Sequence, residues 1–159
     1  MGAAGTPRAP AETVRGVIGT SLYMVLATAD ESGRPWSSPV YFAHLDCREF
    51  FWVSSPEAAH SRNILVRPEV GIAVFDSSAP IGTGQGVYMS AVAAPVDRAD
   101  LERAIEVFSR RSMLHGGHAW TADDVDAASG TALYRAVPDA HWILAKDGRP
   151  DHRVRVDLT

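Results

Sequence analysis

Side chains that donate hydrogen bonds crowd the point where a predicted strand runs into a predicted helix: Ser54, Ser55, His60, Ser61, Arg62 and Asn63. The first turn of a helix leaves backbone N–H groups without intrahelical partners, so this end attracts anions. Together these groups are compatible with a cradle for a phosphate. On the residues alone, the favoured interpretation is an ordinary helix start, with Ser55 as the N-cap and Pro56 at the first helical position.

Other motifs offer less chemistry. The glycine-rich stretch 82–86 leads into a strand rather than a helix, which favours a flexible loop over a dinucleotide site. Two glycines separate His115 from His118 and no third ligand is close in sequence, so we expect no metal site. The sequence contains no G-x-S-x-G nucleophile elbow, and catalytic residues stay unassigned. Trp142 is expected in the core, with stacking on a planar ligand as the alternative.

The composition is that of an ordinary globular protein. The chain has 159 residues, of which 46% are hydrophobic and 21% charged, and this predicts a single domain over residues 10–159 after a disordered tail at 1–9. A net charge of −4 argues against a general nucleic-acid partner. Without a bilayer-length apolar run or a signal peptide, we expect a cytoplasmic protein with no membrane partner. The lone Cys47 excludes an intramolecular disulfide.

Hydrophobic periodicity predicts mainly β structure with peripheral helices. Strands are expected at 21–29, 36–43, 49–54, 70–75, 87–96, 132–137, 140–145 and 153–158, with a break at Pro138–Asp139. Helices are expected at 10–18, 56–66 and 98–111, the last with Asp97 as its N-cap. This order fits neither a βαβ repeat nor a helix bundle. It predicts an antiparallel barrel.

Three segments in this order resemble the pyridoxamine 5′-phosphate oxidase-like family of flavin-binding split barrels: LATADESGRPWSSPVYF, FWVSSPEAAHSRNILVRPEVGIAVFD and GQGVYMSAVAAPV. The resemblance covers roughly residues 12–110, with a weaker similarity at 132–158. Its most specific part is H-S-R-N-I followed by R-P-x-V. The resemblance implies an antiparallel split β-barrel that binds FMN.

The resemblance also implies which residues hold the cofactor. The second strand would lie beside the flavin ring, which implies Trp36, Ser37, Ser38, Pro39 and Val40. The end of the next long strand and the helix behind it would hold the phosphate, which implies Val53, Ser54, Ser55, His60, Ser61 and Arg62. Further contacts would come from Gln85 and, across a subunit interface, from Trp142 and Arg153. Because the family often has Lys where this chain has His60, the charge at that position would depend on pH.

The implied protein is a homodimeric FMN-dependent oxidoreductase with the cofactor at the subunit interface. Hydride would pass between flavin and NAD(P)H or another small-molecule substrate. Ser37, Ser38 and Pro39 stand where true pyridoxamine phosphate oxidases carry basic residues, which argues against vitamin B6 oxidation. Three alternatives stay open: a deazaflavin (F420) reductase of the same fold, a flavin-binding module without turnover, and a haem-binding module. Haem would be ligated by one of His44, His115, His118 or His141.

Overall fold

The computed structural model describes residues 9–126 and 128–159. All but the last residue of the predicted tail at 1–9 lies outside these ranges. The helices are α1 (Pro10–Thr20), α2 (Ala59–Val66) and α3 (Leu101–Leu114), with a 3₁₀ turn at Ala122–Val125. The strands are β1 (Tyr23–Ala29), β2 (Pro35–Tyr41), β3 (Ala43–Leu45), β4 (Glu49–Ser54), β5 (Glu69–Phe75), β6 (Gly86–Pro95), β7 (Ala132–Leu144) and β8 (Arg153–Val156). None of the helices in these ranges has the length and apolar character needed to cross a membrane.

The eight strands form one antiparallel sheet in the order β2-β1-β5-β6-β7-β4-β3, with β8 also paired to β7. The sheet curls until β2 and β4, which are distant in this order, contact each other. The long strand β7 follows β6 on one side, while its other side is shared between β4 and β8. The predicted antiparallel split barrel with peripheral helices is confirmed.

The core follows from the two-residue period of the strands. In β1 and β5, alternate side chains such as Met24, Leu26 and Val74 point into the barrel and are fully or almost fully buried. A second, smaller core lies between the sheet and α3, where Phe51 and Phe108 pack together. Burial of each large apolar side chain stabilises the fold by about 1.5–3 kcal/mol.

An ion-pair network fixes α3 to the sheet. Both terminal nitrogens of Arg103 donate to the Glu49 carboxylate at 2.8 and 2.9 Å, and Arg135 donates to Glu49 at 3.3 Å and to Asp100 at 2.9 Å. The hydrogen bond from Arg103 is the main reason why the pKa of Glu49 is lowered. These ion pairs hold α3 in a fixed position on the sheet.

The helix α2 begins at Ala59, three residues after the position predicted. A turn precedes it, in which the Ala58 N–H donates to the Ser55 carbonyl at 3.1 Å and the Ser55 hydroxyl accepts from the Glu57 N–H at 3.2 Å. The N-cap residue is therefore Ala58, which has no side chain able to cap. The prediction that Ser55 caps the helix is wrong because its hydroxyl accepts the Glu57 N–H in the turn before the helix.

Two other predictions near chain reversals are corrected. The helix α3 starts after Asp100, because the Asp97 carboxylate accepts from the Asp100 N–H at 2.9 Å and forms a turn ahead of the helix. The predicted break at Pro138–Asp139 is a bulge within a continuous β7, accommodated by a register shift between Ser90 and Ala91 on β6.

The short strand β3 was not predicted at all. It forms a hairpin with β4 through Asp46 and Cys47, whose φ angles are 51° and 57°. The connection has three residues, 46–48. Two successive residues with positive φ are usually Asn, Asp or Gly, so Cys47 gives no sequence signal for this geometry.

Candidate functional site

His60 joins three elements of the barrel. Its Nδ1 lies 3.1 Å from the Ser38 hydroxyl on β2, and its Nε2 lies 2.8 Å from the Ser54 hydroxyl at the end of β4. The residue as a whole is 9% exposed. A neutral imidazole carries one N–H, so one serine accepts from the ring while the other donates to it. The structure thus brings Ser38, which the resemblance placed beside the flavin ring, together with Ser54 and His60, which it placed at the phosphate.

The same point is the open start of α2. The first hydrogen bond of the helix runs from the Arg62 N–H to the Ala58 carbonyl at 3.0 Å. The N–H groups of Ala59, His60 and Ser61 precede that bond, so they have no intrahelical acceptor, and no side chain caps them. The Ser61 hydroxyl is fully buried and has no hydrogen-bond partner in the described part of the chain. This concentration of donors fits an anion.

Burial lowers the pKa of His60 below its ordinary value. The imidazole is therefore neutral at neutral pH in the free protein. A positive charge at His60 would need an anion close by to stabilise it.

A cleft of about 450 Å³ lies beside the first residue of α2. Its lining residues are Asp30, Arg34, Pro35, Trp36, Ala59 and Asn63. Trp36 is more than half exposed here, and the Asn63 amide is held by donation to the Thr28 hydroxyl at 3.0 Å. The cleft therefore combines an exposed aromatic ring, one cation and one carboxylate. Sequence reasoning did not single out Arg34, which lies in an ordinary turn sequence.

Arg62 lies outside this group. Residues two apart on a helix point in nearly opposite directions, and Arg62 is on the exposed face of α2 while His60 is on the buried face. Its guanidinium lies 3.5 Å from Glu57, and both side chains are mostly exposed. The predicted grouping of Arg62 with His60 at a phosphate is therefore corrected.

Other residues implied by the resemblance are divided between different surfaces. On β2, Ser37 and Pro39 are exposed while Ser38 and Val40 are buried. Val53 packs against the second core under α3. These residues therefore do not form one surface around His60.

Gln85 ties the start of β6 to the end of β7. Its side-chain amide donates to the Leu144 carbonyl at 3.0 Å, and its side-chain oxygen accepts from the N–H groups of Leu144 and Gly86 at 3.0 and 2.9 Å. Both ends of this amide are thus bonded to backbone. Its place at the entry to the long strand is the one expected.

Trp142 lies on the outer face of the sheet, half-buried, and the prediction that it belongs to the core is wrong. Its neighbours in β7 point inward, and across the ladder it pairs with Tyr88 of β6. The Arg153 guanidinium lies 4.3 Å from the centre of the Tyr88 ring. Trp142 and Arg153 therefore lie on one patch with Tyr88 between them. Sequence reasoning missed Tyr88, although the alternation in β6 could have placed it outward.

The histidines considered for haem are in different settings. Nδ1 of His44 accepts from the Cys47 N–H at 3.3 Å, and burial lowers the pKa of His44 to about 4. Nε2 of His141 lies 2.8 Å from the Cys47 carbonyl and donates to it. His115 and His118 are exposed in the loop after α3. No group of three or more metal-binding side chains forms within residues 9–126 and 128–159.

Comparison with known proteins agrees with this architecture. A family model described as pyridoxamine 5′-phosphate oxidase matches residues 10–143. Among solved structures, a heme binding protein from Mycobacterium smegmatis superposes with a TM-score of 0.72 at 20% identity, over 94% of this chain and 59% of that one. The chain thus spans less than two thirds of that protein.

Two further structures share the fold over most of their length. HutZ, the heme storage protein of Vibrio cholerae, gives a TM-score of 0.62 at 24% identity, over 80% of this chain and 89% of that one. General Stress Protein 26 of Bacillus anthracis gives 0.62 at 14% identity, over 92% and 98%. Identities this low show a shared fold. No curated protein matches the sequence significantly.

Proposed function

The chain belongs to the pyridoxamine 5′-phosphate oxidase family, and from this premise we propose that it binds FMN as a homodimer and acts as an oxidoreductase. The observation that carries the proposal is the bridge from His60 to Ser38 and Ser54 at the open start of α2. The electron donor or acceptor would be NAD(P)H or another small molecule.

The residues at this point fit a phosphate group. Three backbone N–H groups are free within the first turn of α2, and the serine that accepts from His60 keeps its own O–H for a ligand. Hydrogen bonds to a charged oxygen contribute about 1.5–3 kcal/mol each. The unpartnered Ser61 hydroxyl adds a buried donor that has no acceptor in the described protein. This donor set supports a phosphorylated cofactor over an uncharged one.

The outer face of the sheet supports the proposed dimer. Small side chains at Val25, Ala27, Gly71 and Ala73 lie next to each other across β1 and β5. The aromatic patch that contains Tyr88 continues this surface, because Tyr88 pairs with Ala73. A flat face of this kind would leave a flavin ring open to water on one side, and a second copy would cover it. Two-fold dimers are the commonest oligomers.

The division of chemical roles follows from the cofactor. Bound FMN would supply the hydride and electron chemistry, which needs no nucleophile from the protein. The cradle at α2 would fix the phosphate end, and His60 would hold a proton between two serine hydroxyls. Trp36, which is exposed in the cleft beside α2, would limit access of water to the cofactor from that side.

Haem binding is the second candidate. Two proteins with this fold are a heme binding protein and a heme storage protein. His44 is a poor ligand in its present state, because its Nδ1 accepts a hydrogen bond and the proton therefore sits on Nε2. The exposed His115 and His118 are the better candidates for an iron ligand.

The deciding experiment is the absorption spectrum and mass of the cofactor that copurifies, followed by titrations with FMN, riboflavin, deazaflavin F420 and hemin. We expect a flavin spectrum, and quenching of FMN fluorescence that Ser38→Ala weakens while riboflavin binding changes little. A colourless protein that quenches no FMN would overturn the proposal. A Soret band on adding hemin, lost in His115→Ala or His118→Ala, would establish the second candidate instead.

A further inference from the structure

We propose that Arg34 is the cation that selects a phosphorylated cofactor at the start of α2. This inference rests on the proposed FMN function. The cradle around His60 consists of neutral donors in the free protein, whereas a phosphate carries up to two negative charges at neutral pH. Arg34 is the one positive side chain among the residues that line the adjoining cleft.

The turn before β2 holds Arg34 in place. The Asp30 carboxylate accepts from the backbone N–H groups of Ser32 and Arg34, each at 2.9 Å, and the Asp30 N–H donates to the Arg34 carbonyl at 3.0 Å. Arg67 fastens the turn from the other side by donating to the Asp30 and Glu31 carbonyls at 2.9 and 3.1 Å. The Arg34 backbone is thus fixed, so its side chain enters the cleft from a defined point.

The guanidinium of Arg34 is available for a ligand. It makes no ion pair or side-chain hydrogen bond with another residue in the part of the chain that the structure describes. Its nearest opposite charge in the cleft is Asp30, whose pKa is lowered first by the Ser32 hydroxyl and also by the charge of Arg34. Asp30 is therefore ionised and would repel a phosphate, which makes a compensating cation necessary for tight binding.

Arg62 provides a matched control. It is also an exposed arginine close to the start of α2, but it lies on the opposite helix face from His60 and is paired with Glu57. Both arginines can be replaced by alanine without disturbing the core. A difference between the two variants therefore reports the position of the charge rather than the loss of any charge.

The test compares binding of FMN and riboflavin to the wild-type chain, Arg34→Ala and Arg62→Ala by fluorescence quenching at low and moderate salt. We expect Arg34→Ala to weaken FMN binding about tenfold and to flatten its salt dependence, with riboflavin binding unchanged. Arg62→Ala should stay within twofold of wild type for both ligands. Asp30→Asn, which keeps the acceptor oxygen of the turn, should bind FMN more tightly than wild type.

The outcomes separate this inference from the function on which it rests. If wild type binds FMN and Arg34→Ala binds it equally well, Arg34 does not contact the phosphate and the FMN function stands. Equal losses for FMN and riboflavin would place Arg34 at the ring and also overturn the inference. If wild type binds no FMN at any salt concentration, both proposals fail. Thermal unfolding of each variant, expected to match wild type, shows that the comparison is made on folded protein.

Discussion

Replacing His60 by Gln should remove a pH dependence from FMN binding. The imidazole bridges the Ser38 and Ser54 hydroxyls and is neutral in the free protein, because burial lowers its pKa. A phosphate in contact with the ring favours the protonated form, and a nearby opposite charge raises a pKa by about 1–3 units. Binding of FMN should therefore be accompanied by uptake of a proton at His60.

The size of the effect follows from linkage between proton and cofactor. Each unit by which the pKa in the complex exceeds the pKa in the free protein strengthens binding at low pH about tenfold, or ~1.4 kcal/mol. The gain is present below the pKa of the free protein and is lost as the pH rises through the raised pKa of the complex. The second ionisation of the phosphate, near pH 6, opposes this gain at lower pH. We expect a broad optimum near neutrality in wild type.

The assay is FMN fluorescence quenching at half-unit pH steps, with calorimetry in two buffers of different ionisation enthalpy to count protons taken up. His60→Gln retains groups that can bond both serines but has no proton to gain, so its profile should show the phosphate ionisation alone. Subtracting the two profiles isolates His60. Superimposable profiles, or zero proton uptake by wild type near neutral pH, would refute the reasoning and assign His60 a purely structural role.

Three further predictions concern stability and assembly. His44→Asn keeps an acceptor for the Cys47 N–H but cannot titrate. Burial lowers the pKa of His44 to about 4 from an ordinary 6.5. Between pH 7 and pH 4.5, the free energy of unfolding of wild type, measured in urea, should therefore fall by about 1–2 kcal/mol more than that of the variant, after allowance for solvent screening. Glu49→Gln should lower the free energy of unfolding by about 1–2 kcal/mol at pH 7, and the difference should vanish as the pH falls through the lowered carboxyl pKa; an unchanged difference in acid would contradict the ion-pair assignment. Ala73→Glu places a charge on the outer sheet face and should convert a dimer into a monomer in sedimentation, with a parallel loss of FMN binding, whereas a persistent dimer would move the interface elsewhere.

The sequence predicted the strands well because their alternation reflects which face is buried. The run from Glu49 to Ser54 was located to the residue. Two helix starts were predicted too early. Ser55 and Asp97 were expected to cap helices, but each accepts a backbone N–H in the turn before the helix, and the same residue types favour both roles. The positive φ angles at Asp46 and Cys47 were not predicted because cysteine, unlike glycine or asparagine, has no preference for positive φ.

The candidate site was predicted in part. His60 and Ser54 were found from their position at a strand-to-helix junction, and Ser38 came from the family resemblance. Arg62 was misplaced because composition near a helix start does not show which helix face a side chain occupies. Arg34 was missed because its proximity to α2 arises from the pairing of β2 in the sheet, a contact between distant parts of the chain that no local pattern reveals.

The place of β7 in the sheet has a consequence for how the protein is made. β4 carries three of the largest fully buried side chains, Phe50, Phe51 and Trp52, and its sheet neighbours are the three-residue β3 and the distant β7. About 90 residues separate the ends of β4 and β7. At roughly 5–20 residues per second, a ribosome needs roughly 5–20 s to cover that distance. During this interval β1, β2, β5 and β6 can pair, but the aromatic strand β4 has no partner along the edge that β7 later covers. The growing chain therefore presents a binding site for chaperones that the folded protein does not have.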